Sequence, residues 1–201
     1  MANLNAPRGF VPSRYLNGAA WNGAVNMYFI PSTDGSIYSP GDAVKSAAVS
    51  DANGVMGIAK AAGTDTVRGV VIGFLVAPLF GVSLVGTNLD LTIQNLPATK
   101  TKDYYALVVD DPQVLFELMD DGLAALTATS VNKNTIFTVA NPTAPAQNSA
   151  SVLATGSVNT TSTLNLKIMG LVQRDDNTFG ARAKWLVKFN QHELMGNTAG
   201  V

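Results

Sequence analysis

Apolar and polar positions alternate in short runs along this chain. Residues 164–168 read Leu, Asn, Leu, Lys, Ile, a period of two that predicts a strand with one face buried. Residues 183–189 predict a last strand with Trp185, Val187 and Phe189 on one face. An apolar run at 104–109 stops at Asp110-Asp111-Pro112, resumes at 114–118 and closes at Asp120-Asp121-Gly122, which reads as two strands about a turn. Upstream, 27–30 is a short strand ended by Pro31, 32–36 is a turn, and 37–44 is a loop leading into a strand. Asp51-Ala52-Asn53-Gly54 turns the chain into 55–60, and 67–76 is a strongly apolar strand. Residues 123–126 are open between a short helix and another strand. Residues 135–139 are β-like, 141–161 form a loop rich in Pro, Ser, Ala, Asn and Thr, and 174–177 are a turn. No amphipathic helical stretch exceeds about two turns, so the pattern predicts an all-β sandwich or barrel.

The first 25 residues break this pattern. Pro7 and Pro12 restrict φ and push the residues before them away from the α region. Gly9, Gly18 and Gly23, with Asn3, Asn5, Asn17 and Asn22, oppose a continuous helix. Yet Phe10, Arg14, Tyr15, Leu16 and Trp21 are side chains suited to anchoring interfaces. The segment cannot build a core of its own, so it is expected to lie on its own domain, a sister subunit or a different protein. The expected organisation is an extended N-terminal arm over 1–25 and a β-domain over 26–201, with those five side chains as its interface anchors.

Composition sharpens this. Only 13% of the 201 residues are charged against 47% hydrophobic, and the formal net charge is −1. An average domain is about a quarter charged, so neutral polar groups or neighbouring subunits are expected to cover the surface. Nothing in this balance attracts nucleic acid or an anionic membrane. The start of the sequence lacks the basic and apolar regions of a signal peptide. Residues 69–86 carry no charge and are long enough for a membrane span. Pro78, four glycines and many β-branched residues fit two buried strands joined at Ala77-Pro78 better.

Candidate chemistry is sparse. There is no cysteine, and the one histidine, His192, reads as an ordinary surface residue, which leaves no material for a Ser-His-Asp triad or a common zinc site. Asp110-Asp111, Asp120-Asp121 and Asp175-Asp176 each precede Pro, Gly or Asn, where Asp caps its own turn, and no calcium loop is present. The glycine pairs Gly54/Gly57 and Gly69/Gly73 lack the spacing and helix of a phosphate loop. Aromatic residues are not interleaved with basic ones, against single-strand nucleic-acid binding. The expectation is a non-enzyme without cofactor or metal.

Three stretches carry a resemblance: 5–18, which starts Asn5-Ala6-Pro7-Arg8-Gly9-Phe10; 110–117; and 170–187, with Gly170-Leu171-Val172-Gln173 and Trp185-Leu186-Val187. In these the chain resembles the capsid cement, or head decoration, proteins of tailed bacteriophages. The stretches 76–102 and 141–161 have no counterpart in that resemblance. It implies a jelly-roll-like β subunit on the outer surface of an icosahedral virion head, bound to the major capsid protein and strengthening contacts between capsomers. Self-association is expected as well, a homotrimer being preferred to a dimer because the three-fold points of such a shell join the most subunits. Two other function classes stay open: a tail, neck or fibre-associated β-protein, and a carbohydrate-binding module or hydrolase of sandwich fold.

Overall fold

The computed structural model describes residues 3–76, 93–143 and 147–195. Twelve strands lie among them. They are β1 (Val11–Tyr15), β2 (Asn26–Ile30), β3 (Ala43–Ser50), β4 (Met56–Lys60), β5 (Gly69–Leu75) and β6 (Tyr104–Val109). The second half holds β7 (Val114–Met119), β8 (Asn134–Thr135), β9 (Phe137–Thr138), β10 (Val152–Leu153), β11 (Leu166–Leu171) and β12 (Lys184–Phe189). Two single 3₁₀ turns, Ala128–Ser130 and Thr155–Ser157, complete the regular structure among the described residues. The protein is all-β.

The strands form a barrel and a sheet. The barrel closes in the order β2-β4-β3-β5-β6, with a parallel contact between β2 and β4 at Phe29 and Gly57. Gly57 is required there, because a Cβ would stand 2.4 Å from Val49 Cγ1 and 2.7 Å from Val49 O. The five-stranded sheet has the order β1-β7-β12-β11-β8, and β9 and β10 pair separately. Alternation along the strands assigns the cores. Tyr28, Ile30, Val44, Ile58, Val71, Ala106 and Val108 make one buried cluster from all five barrel strands. Ala43, Val70 and Val109, on the other face of β3, β5 and β6, join Phe116, Leu118, Leu166, Ile168, Trp185, Val187 and Phe189 in the larger core. That core therefore lies between barrel wall and sheet, as in a sandwich.

Turn chemistry accounts for the connections. Asp51 accepts the backbone N–H groups of Asn53 (2.9 Å) and Val55 (2.8 Å) and so closes the β3–β4 hairpin. Asp111 accepts from Gln113 N (2.8 Å), Asp120 from Gly122 N (2.9 Å) and Asp121 from Leu123 N (3.0 Å), the predicted role of aspartates in turns. Asp120 does more: fully buried, it also accepts from Arg182 N (2.7 Å), Ala183 N (3.1 Å) and Trp185 Nε1 (3.0 Å), tying two turns to the core. Burial pushes its carboxyl above the ordinary range against those four donors.

Several expectations change, among them the loop over 141–161, which holds β10 and one 3₁₀ turn. Of the surfaces open to the arm over 1–25, the structure uses its own domain, and the boundary at residue 25 moves: β1 is the edge strand of the sheet and Phe10 lies in the main core. His192 is not on the surface: it is 2% exposed, because backbone pairing with Val67 draws the chain after β12 against the barrel. Its Nδ1 accepts the N–H of Leu194, and burial, then the nearby Arg68, push its pKa down. Asp110 is not a turn cap. It accepts from Asn26 Nδ2 (2.9 Å) and the Tyr28 hydroxyl and faces Arg68 (3.8 Å), and Tyr28 is pushed up to about 12 by burial and that hydrogen bond. The Ala77-Pro78 junction and the second strand expected after it lie outside the described residues. No helix among the described residues is long and apolar enough to cross a membrane.

Candidate interaction surface

The N-terminal segment is held at several points. Phe10 is 1% exposed and packs edge-on to Phe116 (6.1 Å between ring centroids) and Phe137 (5.2 Å) and tilted against Phe189 (5.0 Å). Backbone geometry guides it there. Phe10 N donates to Gly41 O (2.9 Å), and Gly9, at φ +64°, passes so close that a Cβ would stand 2.4 Å from that same oxygen. Gly9 is therefore a fitted contact as well as a residue that opposes helix.

From Phe10 the chain enters β1, antiparallel to β7. Pro12 is tolerated because β1 is an edge strand. A register shift between Pro12 and Arg14 places Val11 opposite Glu117 and Arg14 opposite Leu115, so both face away from the core, while Pro12 and Tyr15 face the side of Phe116 and Val114. The chain then reverses: Gly18 N donates to Tyr15 O, Tyr15 N to Ala19 O (2.8 Å), and Trp21 N reaches Ser13 O (3.4 Å), covering part of the free edge of β1. Tyr15 donates its hydroxyl to Asn22 Oδ1 (2.8 Å).

The five expected anchors therefore divide. Phe10 is a core residue of its own subunit and has no surface to offer a partner; its large apolar ring finds a three-ring pocket that the linear sequence does not display. Tyr15 and Trp21 are partly buried against the same core, and the Trp21 indole N–H has no acceptor among the described residues. Arg14 and Leu16 are exposed, Leu16 at 44%.

Three neighbours add to what Arg14 and Leu16 present. Before Phe10 the chain runs over the outer face of the sheet and is pinned at Asn3, whose amide donates to Thr178 O (2.9 Å) and Ala181 O (3.0 Å) and accepts from Thr178 N (3.0 Å). Between this strap and the sheet lies an open cleft of about 460 Å³, lined by Leu4, Arg8, Val11, Glu117, Arg174 and Lys184 among others. Leu4 is 74% exposed and Val11 39%. Arg174 contacts Glu117 (3.2 Å) and Asp176 (3.4 Å), and Lys184 lies 3.9 Å from Asp176, so these charges largely cancel. Arg8 and Arg14 are exposed and have no ion pair among the described residues. Sequence reasoning missed Leu4, Arg8 and Val11. One signal was available: all 14 acids come after residue 33, so the first 33 residues carry only Arg8 and Arg14 as charged side chains.

Among the described residues no group of three or more His, Cys, Asp and Glu side chains is placed to hold a metal ion. Compared with protein-family models, curated proteins and solved structures, the chain matches none.

Proposed function

We propose that this protein is a structural virion component, a capsid cement protein that sits on the outer surface of an icosahedral head and stabilises contacts between capsomers. The observation that carries this reading is the outward face of the N-terminal segment. There Leu4, Val11 and Leu16 stand exposed with Arg8 and Arg14, which have no ion pair among the described residues, on a backbone held by Asn3, Phe10 and the β1–β7 pairing. Such a surface is preorganised, so binding does not have to order a loose arm first. Fully burying a Leu or Val side chain contributes roughly 1.5–3 kcal/mol. A cement protein that associates with itself places several copies of this surface on one shell, and linked contacts strengthen one another through effective concentration. The partner is the major capsid protein, and a homotrimer at three-fold positions joins the most capsomers.

The test is to purify particles from a culture of the source and quantify this chain against the major capsid protein by mass spectrometry. On the order of a hundred or more copies per particle, with antibody labelling on the heads, is the expected result. A few copies per particle would assign the protein to the tail or neck, and its absence from particles would overturn the virion reading altogether.

A further inference from the structure

The cleft under the N-terminal strap has a sharper chemical preference than its mixed lining suggests. Its acids are already engaged, Glu117 by Arg174 and Asp176 by Arg174 and Lys184, which among the described residues leaves Arg8 as the uncompensated charge beside two exposed apolar side chains, Leu4 and Val11. A guanidinium that is free of internal acids and partly walled by protein favours a carboxylate, which it can hold through two parallel hydrogen bonds. A cleft of about 460 Å³ suits a short length of chain rather than a protein face.

The described acids of this chain are poorly placed to supply that carboxylate to a second copy. Of its described acids, all but Asp175 already accept a hydrogen bond or stand in an ion pair within the subunit. Even the exposed Asp103 accepts from Ser32 N, and Glu193 accepts from Ser46 N. We therefore propose that the cleft receives an extended, acidic segment of a foreign protein, with an Asp or Glu on Arg8 and a neighbouring apolar side chain against Leu4 and Val11. That the foreign protein is the capsid subunit rests on the cement reading; the preference of the cleft does not.

The experiment uses the full-length chain and two fluorescein-labelled probes, the heptapeptide Gly-Val-Leu-Asp-Leu-Val-Gly and the same peptide with Asn in place of Asp, followed by fluorescence polarisation at low salt. The Asp probe is expected to bind about tenfold or more tightly than the Asn probe, a difference of about 1.4 kcal/mol. Arg8→Gln should abolish the difference while leaving the melting temperature unchanged, because Arg8 has no ion pair among the described residues. Backbone amide shifts on titration should fall on residues of the cleft. Equal binding of the two probes, an Arg8→Gln variant that still discriminates, or shifts elsewhere would overturn the proposal. So would concentration-dependent self-association that Arg8→Gln and Asp175→Asn each remove, since the occupant would then be a second copy. A positive peptide result with no chain in virions keeps the cleft and rejects the cement reading; the reverse result does the opposite.

Discussion

At the scale of single residues, Phe10 and Leu16 show how neighbouring apolar side chains of one segment take opposite roles. Phe10 is surrounded by Phe116, Phe137 and Phe189, whereas Leu16 is 44% exposed after the end of β1. Removing a buried ring loses its transfer energy and leaves a cavity, so Phe10→Ala should cost about 3–5 kcal/mol. Leu16→Ala should stay within about 0.5 kcal/mol. Urea denaturation of the two variants makes the comparison, and a Phe10→Ala loss below about 1 kcal/mol would place the ring outside the core. Gly9 belongs with Phe10, since any side chain there meets Gly41 O while the backbone stays in the left-handed region.

At the scale of elements, β1 is the edge strand of the five-stranded sheet. Its absence would expose the unpaired backbone edge of β7 together with an empty aromatic pocket. If residues 1–25 were the extended arm expected from the sequence, deleting residues 1–23 would leave a folded β-domain that has lost most of its affinity for the capsid. The structure leads to a different expectation: the truncated chain should lose its cooperative thermal transition or aggregate, because it lacks both Phe10 and the β1–β7 hydrogen bonds. Near-UV circular dichroism and a thermal melt decide between them. A cooperative melt at the full-length temperature would restore the free arm.

At the scale of the whole molecule, sparse charge makes each buried or paired acid count in the pH response. Burial pushes Asp34 up, but donors from Tyr38 (2.7 Å) and Ser36 N (2.6 Å), with Lys100 nearby, outweigh it and hold the carboxyl below the ordinary range. Asp65 is held down by Lys45 (2.8 Å) and by the backbone N–H of Ala62 (2.8 Å). A folded pKa below the unfolded one gives stability that is complete above the unfolded value and is lost as pH falls through the folded value. The melting temperature should therefore fall as pH drops from about 5 to about 3, and Asp34→Asn should flatten that acid limb. Asp120 acts in the opposite sense: raised by burial, its contribution is present below the unfolded value and lost as pH rises through the folded one. An acid limb unchanged in Asp34→Asn would mean that the Tyr38, Ser36 and Lys100 contacts do not set it.

By itself the sequence determined the local grammar of this protein. The strand over 104–109, the return at 114 and the alternation of Trp185, Val187 and Phe189 follow from periodicity and turn residues, which depend on a few neighbours along the chain. Only the tertiary structure decided which face of that grammar is inside. Pro, Gly and Asn around Phe10 are as compatible with a loose arm as with an edge strand, and what separates the two is a pocket built by residues more than 100 positions away. The same holds for His192, buried because it pairs with Val67, and for β10, where two residues become a strand only because Phe137 and Thr138 lie beside them. The cleft was equally hidden. The chain shows Arg8 as one cation among 13 Lys and Arg residues; folding carries Glu117 to Arg174 and Asp176 to Lys184 and leaves Arg8 without an ion pair among the described residues, because ion pairing is settled by distance in space and not by spacing in sequence.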